Sequence, residues 1–153
     1  MTKEGALSGL VVLDLTRVLA GPYCTMLLAD MGASVIKLEE PLKGDDTRQF
    51  APRKNGESVY YININRNKKG ITLNLKNEEA RKLFLKMVKK ADVVVENYRP
   101  GTMEKFGLGY ESLKEVNPGI IYAGISGFGH TGRYKDRPGY DIIAQAMSGL
   151  MST

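Results

Sequence analysis

The sequence is poor in the residues that carry most side-chain chemistry: its 153 residues include one cysteine, Cys24, and one histidine, His130. A single cysteine excludes an intrachain disulfide and fits a reducing compartment. Cys24 has no recognisable histidine partner and reads as an ordinary small apolar residue. His130 sits in a glycine-spaced loop with no fixed partner, which makes it weak as a general base, because a base needs an orienting group. Metal-ligand spacing is missing too. Asp45 and Asp46 are adjacent carboxylates without further ligands, so they read as loop and capping residues and no metal site is expected.

Other absences narrow the class. No apolar run nears the roughly 20 residues of a membrane span. Met1 to Leu7 carries Lys3 and Glu4 where a signal peptide would have an apolar core, so neither leader nor anchor is expected and the reading is cytoplasmic. The dinucleotide fingerprint G-x-G-x-x-G does not follow the first strand-like run, and no Walker A sequence occurs. Lys plus Arg outnumber Asp plus Glu by 22 to 17, a net charge of +5. The bases are scattered apart from NRNKKG at 65–70 and RYKDR at 133–137, which argues against a nucleic-acid face and leaves room for a small anionic ligand.

What is present is an alternation of strand and helix signals over a length suited to about one domain. Residues 10–41 read as strand, tight loop, helix, strand. Leu10 to Leu15 is an apolar run broken only by Asp14, as in a strand covered on both faces. Pro22 marks a helix start, Met26, Leu27, Leu28 and Met31 its apolar face, and Gly32 its left-handed end. Val35 to Leu38 is the next strand. A ligand would sit at the carboxyl end of the first strand, beside Thr16 to Gly21. Residues 42–58 form a long irregular excursion, which in compact domains is more often functional than merely connecting. Val59 to Ile64 reads as extended, NRNKKG as a turn, and Ile71 to Leu75 as a strand with Ile71, Leu73 and Leu75 on one face. Asn77 is a good N-cap for a helix whose apolar positions are Ala80, Leu83, Phe84, Met87, Val88 and Ala91. Strands at 92–96 and 120–126 and a helix over 140–151 complete the pattern, with short helical stretches on each side of 107–109. The spacing predicts an α/β fold with a mostly parallel sheet and flanking helices.

Three loops at strand ends share one chemistry. Arg17 with Ala20 and Gly21, Asn97 with Arg99, and Gly127 with Gly129 and Arg133 each offer donors to an anion such as a phosphate. Glycine and arginine are common in loops, so each is weak alone.

Taken in order, the segments LSGLVVLDLTRVLAGPYCTMLLADMGASVIKLE, GDDTR, NRNKKGITLNLKNEEARKLF, ADVVVENYRPG, KFGLGYE, NPGIIYAGISGFGHTG and RPGYDIIAQAMSGLMS resemble the class III CoA-transferases, the CaiB/BaiF family that includes formyl-CoA and carnitine CoA-transferases. The resemblance covers nearly the whole chain. It implies a Rossmann-like large domain, with residues 1–153 as its amino-terminal portion, a second smaller domain outside them, and an interlocked homodimer. Coenzyme A or acyl-CoA would be a substrate, a carboxylic acid the acceptor, and neither metal, nucleic acid nor membrane would take part. Carried over position by position, the family's CoA contacts fall on Arg17, Val18, Ala20, Leu73, Lys76, Asn97, Tyr98 and Lys105. Glu40 replaces one relative's CoA-binding arginine, and Arg48 in GDDTR offers a charge in its stead. Arg133 stands where relatives have a proline.

The family mechanism uses an aspartate that attacks the acyl-CoA carbonyl and passes through an aspartyl-CoA thioester. The expected aspartate lies beyond Thr153, so the 153 residues are expected to be a fragment without turnover of its own. Two rival readings stand. In a 2-methylacyl-CoA racemase a catalytic histidine occupies the position of Tyr140, and a phenol with a reference pKa near 10 is a poor base for an α-proton. A free-standing CoA- or nucleotide-binding module would instead have to close as a domain at Thr153.

Overall fold

The structure, a computed structural model, describes residues 5–152. Its centre is a five-stranded sheet built from β1 (Val11–Asp14), β2 (Ser34–Glu39), β5 (Lys69–Thr72), β6 (Val93–Glu96) and β7 (Ile121–Gly124), in the order β5-β2-β1-β6-β7. Every pairing in it is parallel, with Leu13 opposite both Ile36 and Val94. Between β2 and β5 lie a 3-10 turn (Asp46–Gln49), the two-residue strands β3 (Arg53–Lys54) and β4 (Glu57–Ser58), and helix α2 (Val59–Ile64). The other helices are α1 (Ala20–Asp30), α3 (Glu78–Val88), α4 (Thr102–Lys105), α5 (Tyr110–Val116) and α6 (Asp141–Ser148), followed by a 3-10 turn at Leu150–Ser152.

Parallel strands need crossovers, and the helices that supply them cover both faces of the sheet. Side chains alternate across each strand. Leu13, Leu38 and Val94 join Phe84 and Val88 of α3, Met103 of α4 and Leu113 of α5 in the larger core. Val12, Val35 and Val95 point the other way and meet Ala29 of α1 and Ala33. That two-sided burial is why β1 and β6 read as apolar runs, interrupted in β1 by Asp14 and closed in β6 by Glu96.

Local signals explain the helix ends. Asn77 caps α3, its Oδ1 accepting the Glu79 and Ala80 amides at 2.8 and 3.3 Å. Gly32, just past α1, has φ +102°, a conformation open to glycine at no cost.

Three expectations need correction. Val59 to Ile64 is helical, because Ser58 Oγ accepts the Tyr61 amide at 3.2 Å and starts a turn that buries Ile64 and sends Tyr61 to Glu39. The edge strand runs Lys69–Thr72, so Leu75 is buried beyond it and packs from a loop. On α1, Leu27 and Met31 are exposed, while Gly21, Pro22, Thr25, Met26 and Ala29 face the sheet. The excursion at 42–58 also holds a hairpin whose two-residue turn, Asn55-Gly56, has φ +52° and +83°, the pairing favoured for such turns.

Candidate functional site

The strand order places a break in direction at the centre of the sheet. From β1 the chain builds outward to β2 and β5, then returns to add β6 and β7 on the opposite side. The loops leaving β1 and β6 therefore part company, and the crevice between them is where doubly wound sheets bind ligands. Arg17 and Val18 follow β1; Asn97 and Tyr98 follow β6.

Asn97 spans that crevice. Its Oδ1 accepts the Arg17 amide at 2.8 Å and its Nδ2 donates to the Arg17 carbonyl at 2.7 Å. The Arg17 guanidinium lies 5.6 Å from the centre of the Tyr98 ring and 3.9 Å from Asp46. Burial raises the Tyr98 hydroxyl above the ordinary phenol range, with Arg17 pulling the other way. A small cleft of about 50 Å³ opens beside them, between Arg17, Leu38, Glu40, Gly44 and Tyr98.

Beneath the loop lie two buried ion pairs. Lys37, on β2, donates to Asp45 Oδ2 and to the Thr16 carbonyl, each at 2.9 Å. Asp45 Oδ1 in turn accepts the amides of Val18 at 3.2 Å and Thr47 at 3.0 Å. Burial favours the neutral form of Asp45, but the Lys37 charge and the Thr47 hydrogen bonds outweigh it and hold the carboxyl below its ordinary range. The second pair is Lys68 with Asp14, 3.0 Å apart. Asp14 also accepts from Thr16 and Thr25, and Lys68 from the loop before β5 donates to the Pro22 carbonyl at 2.9 Å. Burial lowers the Lys68 ammonium below its ordinary range, with Asp14 offsetting part of that. Gly21 completes the packing, since a Cβ there would stand 2.3 Å from the Thr16 side chain.

The remaining expected contacts lie on several elements. Ala20 is the first residue of α1. Leu73 is half-buried and its amide donates to the Glu39 carbonyl at 2.8 Å. Arg48 is engaged by Glu39 at 2.6 Å and Tyr61 at 2.8 Å, and Lys76 is exposed and paired with Glu40 at 2.9 Å. Lys105 is exposed on α4. Exposed pairs such as Lys76–Glu40 are worth little, about 0–1 kcal/mol, so an incoming phosphate can draw Lys76 away; the buried pairs cannot be exchanged so cheaply.

The glycine-spaced loop reaches the same end of the sheet by a different route. Glu96, buried at the end of β6, accepts the Tyr98 amide at 2.7 Å and the Tyr122 hydroxyl at 3.2 Å, and His130 Nε2 lies 3.8 Å from it. Burial raises the Glu96 carboxyl above its ordinary range, and the Tyr98 and Tyr122 hydrogen bonds oppose that. His130 fits because residue 124 is glycine: a Cβ there would stand 2.6 Å from its Nε2. So the histidine does have a carboxylate neighbour, on a strand 34 positions earlier. Arg99 and Arg133 are exposed, and Tyr140, at the start of α6, is exposed too. Among the described residues no group of three or more His, Cys, Asp or Glu comes together as a metal site, and no helix is long and apolar enough to cross a membrane.

Lys37, Asp14 and Lys68 are not among the residues the sequence singles out, while Asp45, read there as a loop and capping residue, does cap the 3-10 turn and also pairs with Lys37. Their signal was available in part. Asp14 and Lys37 each interrupt a strand that is otherwise apolar on both faces, and a charge there needs a partner.

Strand order and helices define a doubly wound α/β fold with its switch point between β1 and β6. The chain belongs to CoA-transferase family III, whose family model matches residues 7–153. It is 52% identical over 148 residues to acetyl-CoA:oxalate CoA-transferase of Acetobacter aceti, covering 97% of this chain and 38% of that protein. To human succinyl-CoA:glutarate CoA-transferase it is 52% identical over 146 residues, covering 95% of this chain and 33% of that one. The crystal structure of a CaiB/BaiF family protein from Brucella suis superposes with a TM-score of 0.91 at 47% identity, over 97% of this chain and 40% of its own. The chain thus spans between a third and two fifths of the length of these relatives.

Proposed function

We propose that this chain provides the CoA-binding part of a CoA-transferase that moves coenzyme A from an acyl-CoA to a carboxylic acid. The observation that carries it is the crevice between β1 and β6, where Arg17, Val18, Asn97 and Tyr98 meet in a chain of this family. The relatives named for transfer between acyl-CoA and dicarboxylates support the same reading. In it, backbone groups near Val18 receive the adenine, Lys76 and Lys105 take the phosphates, and Ala20 and Leu73 line the path. Arg48 steadies the rim through Glu39. Residues 1–153 form the amino-terminal portion of the large domain. The aspartate that would form the acyl anhydride and then the aspartyl-CoA thioester is not among them, so these residues alone bind without turning over. The working enzyme is a cytoplasmic homodimer of interlocked chains.

The test has two arms. Titration of CoA into the 153-residue chain, followed by calorimetry, should show saturable binding. The protein containing this chain, incubated with succinyl-CoA and oxalate, glutarate or mesaconate, should form the new CoA ester. Exchange of an α-proton of a 2-methylacyl-CoA into deuterated water with no second acid present would favour a racemase instead. Tight CoA binding with no transfer by the longer protein would leave a binding module.

A further inference from the structure

Resting on the reading of the crevice as the CoA site, we propose that the buried Lys37–Asp45 ion pair is a positioning device. It holds the loop after β1 in the shape that receives the ligand by fixing Val18 in a left-handed backbone conformation.

Val18 has φ +69°. For a β-branched residue this is a genuine outlier, because Cβ crowds the following carbonyl, and such a conformation persists only where the surroundings over-determine it. Here they do. Asp45 takes the Val18 amide, Lys37 takes the Thr16 carbonyl, and Asn97 takes both backbone groups of Arg17. Three consecutive residues are thus held by side chains from three separate segments, and Lys37 bridges two of those holds by binding Asp45 as well.

Stability is a poor reason for such a pair. Lys37 and Asp45 are each 1% exposed. Taking two charges out of water offsets most of their attraction, and apolar residues of similar volume often fold as well or better. The pair differs from an apolar replacement in what it holds: the Thr16 carbonyl and the Val18 amide, with Arg17 between them, and the Thr47 amide and hydroxyl that start the 3-10 turn. Neither charge needs to touch the ligand. They act through the backbone.

The experiment replaces the pair as a unit, Lys37→Met with Asp45→Leu, and then adds Val18→Gly, since glycine enters the left-handed region about as readily as the right. CoA is the probe, titrated calorimetrically, and urea unfolding monitors the fold. The double variant leaves the Thr16 carbonyl and the Val18 and Thr47 amides without their side-chain partners, so its unfolding midpoint should fall, and CoA affinity should drop about tenfold or more, the scale of losing one charge-assisted contact. Val18→Gly should then recover most of that loss, a rescue that a merely structural role does not provide. Unchanged CoA affinity in the double variant, or no recovery with glycine, overturns the proposal. Should the double variant not fold, hydrogen exchange at the Val18 amide of the unmodified protein decides: protection supports the clamp and free exchange refutes it. If the unmodified protein binds no CoA, the site reading fails separately, and the same amide exchange still judges the clamp.

Discussion

Replacing Asn97 by alanine tests the crevice where its two loops are bridged. The side chain makes two hydrogen bonds to one residue on the far side of the switch, at 2.8 Å to the Arg17 amide and 2.7 Å to its carbonyl. A hydrogen bond of this kind contributes about 0.5–1.5 kcal/mol net, and a buried group left without a partner costs about 1–3 kcal/mol. Arg17 is only partly buried, so water can reach some of what alanine abandons. The expected loss of unfolding free energy is therefore about 2 kcal/mol, read from urea curves fitted with a common slope. The loop should also loosen, and CoA affinity should fall by about tenfold, the equivalent of 1.4 kcal/mol. Asn97→Asp sharpens the comparison. It keeps an acceptor for the Arg17 amide but sets a second carboxylate oxygen against the Arg17 carbonyl, so it should be at least as damaging as alanine. A change in stability below about 0.5 kcal/mol, the range of ordinary surface substitutions, together with unaltered CoA binding, would refute the assignment of Asn97 as the bridge across the switch.

Other expectations follow from the same geometry. Glu40→Gln removes a carboxylate beside the cleft and frees Lys76, so CoA affinity should rise about two- to fivefold at low salt and less at high salt, as calorimetry at two ionic strengths would reveal. Phe84→Ala empties the centre of the larger core, where the ring is fully buried, and should cost about 3–5 kcal/mol in urea unfolding. The Asp45 carboxyl is held below its ordinary 3.8, so its contribution to stability is complete above that value and is lost as pH falls through the lower folded value. Acid unfolding should consequently be shallower below about pH 4 in the Lys37→Met, Asp45→Leu variant than in the unmodified protein. Glu96 has the opposite sign: its carboxyl is raised above 4.5, so its contribution is present below that value and is lost as pH rises through the higher folded one.

The sequence by itself determined the class of fold and the family. The largely apolar stretches at 10–15 and 92–96 read as strands, the first covered on both faces, Asn77 started α3, Gly32 ended α1, and the alternation of strands with helices left a parallel sheet as the consistent arrangement. The ordered motifs carry the family. These are local properties, carried by residues a few positions apart. Val59–Ile64 shows where local reading fails, because a single serine cap and the pull of Tyr61 toward Glu39 override a pattern that looks extended.

Only the tertiary structure decided which distant groups meet. Arg17 and Asn97 are 80 positions apart, Asp14 and Lys68 are 54, and no periodicity couples them. Lys37 looks like any strand lysine until β1, β2 and the loop at Asp45 close around it. Burial then turns an ordinary surface charge into one that must have a partner, and the partner it has fixes the backbone at Val18. Strand order is a global property of this kind as well. The return of the chain from β5 to β6 on the far side of β1 opens the crevice at the carboxyl end of β1, which the sequence could locate but not shape.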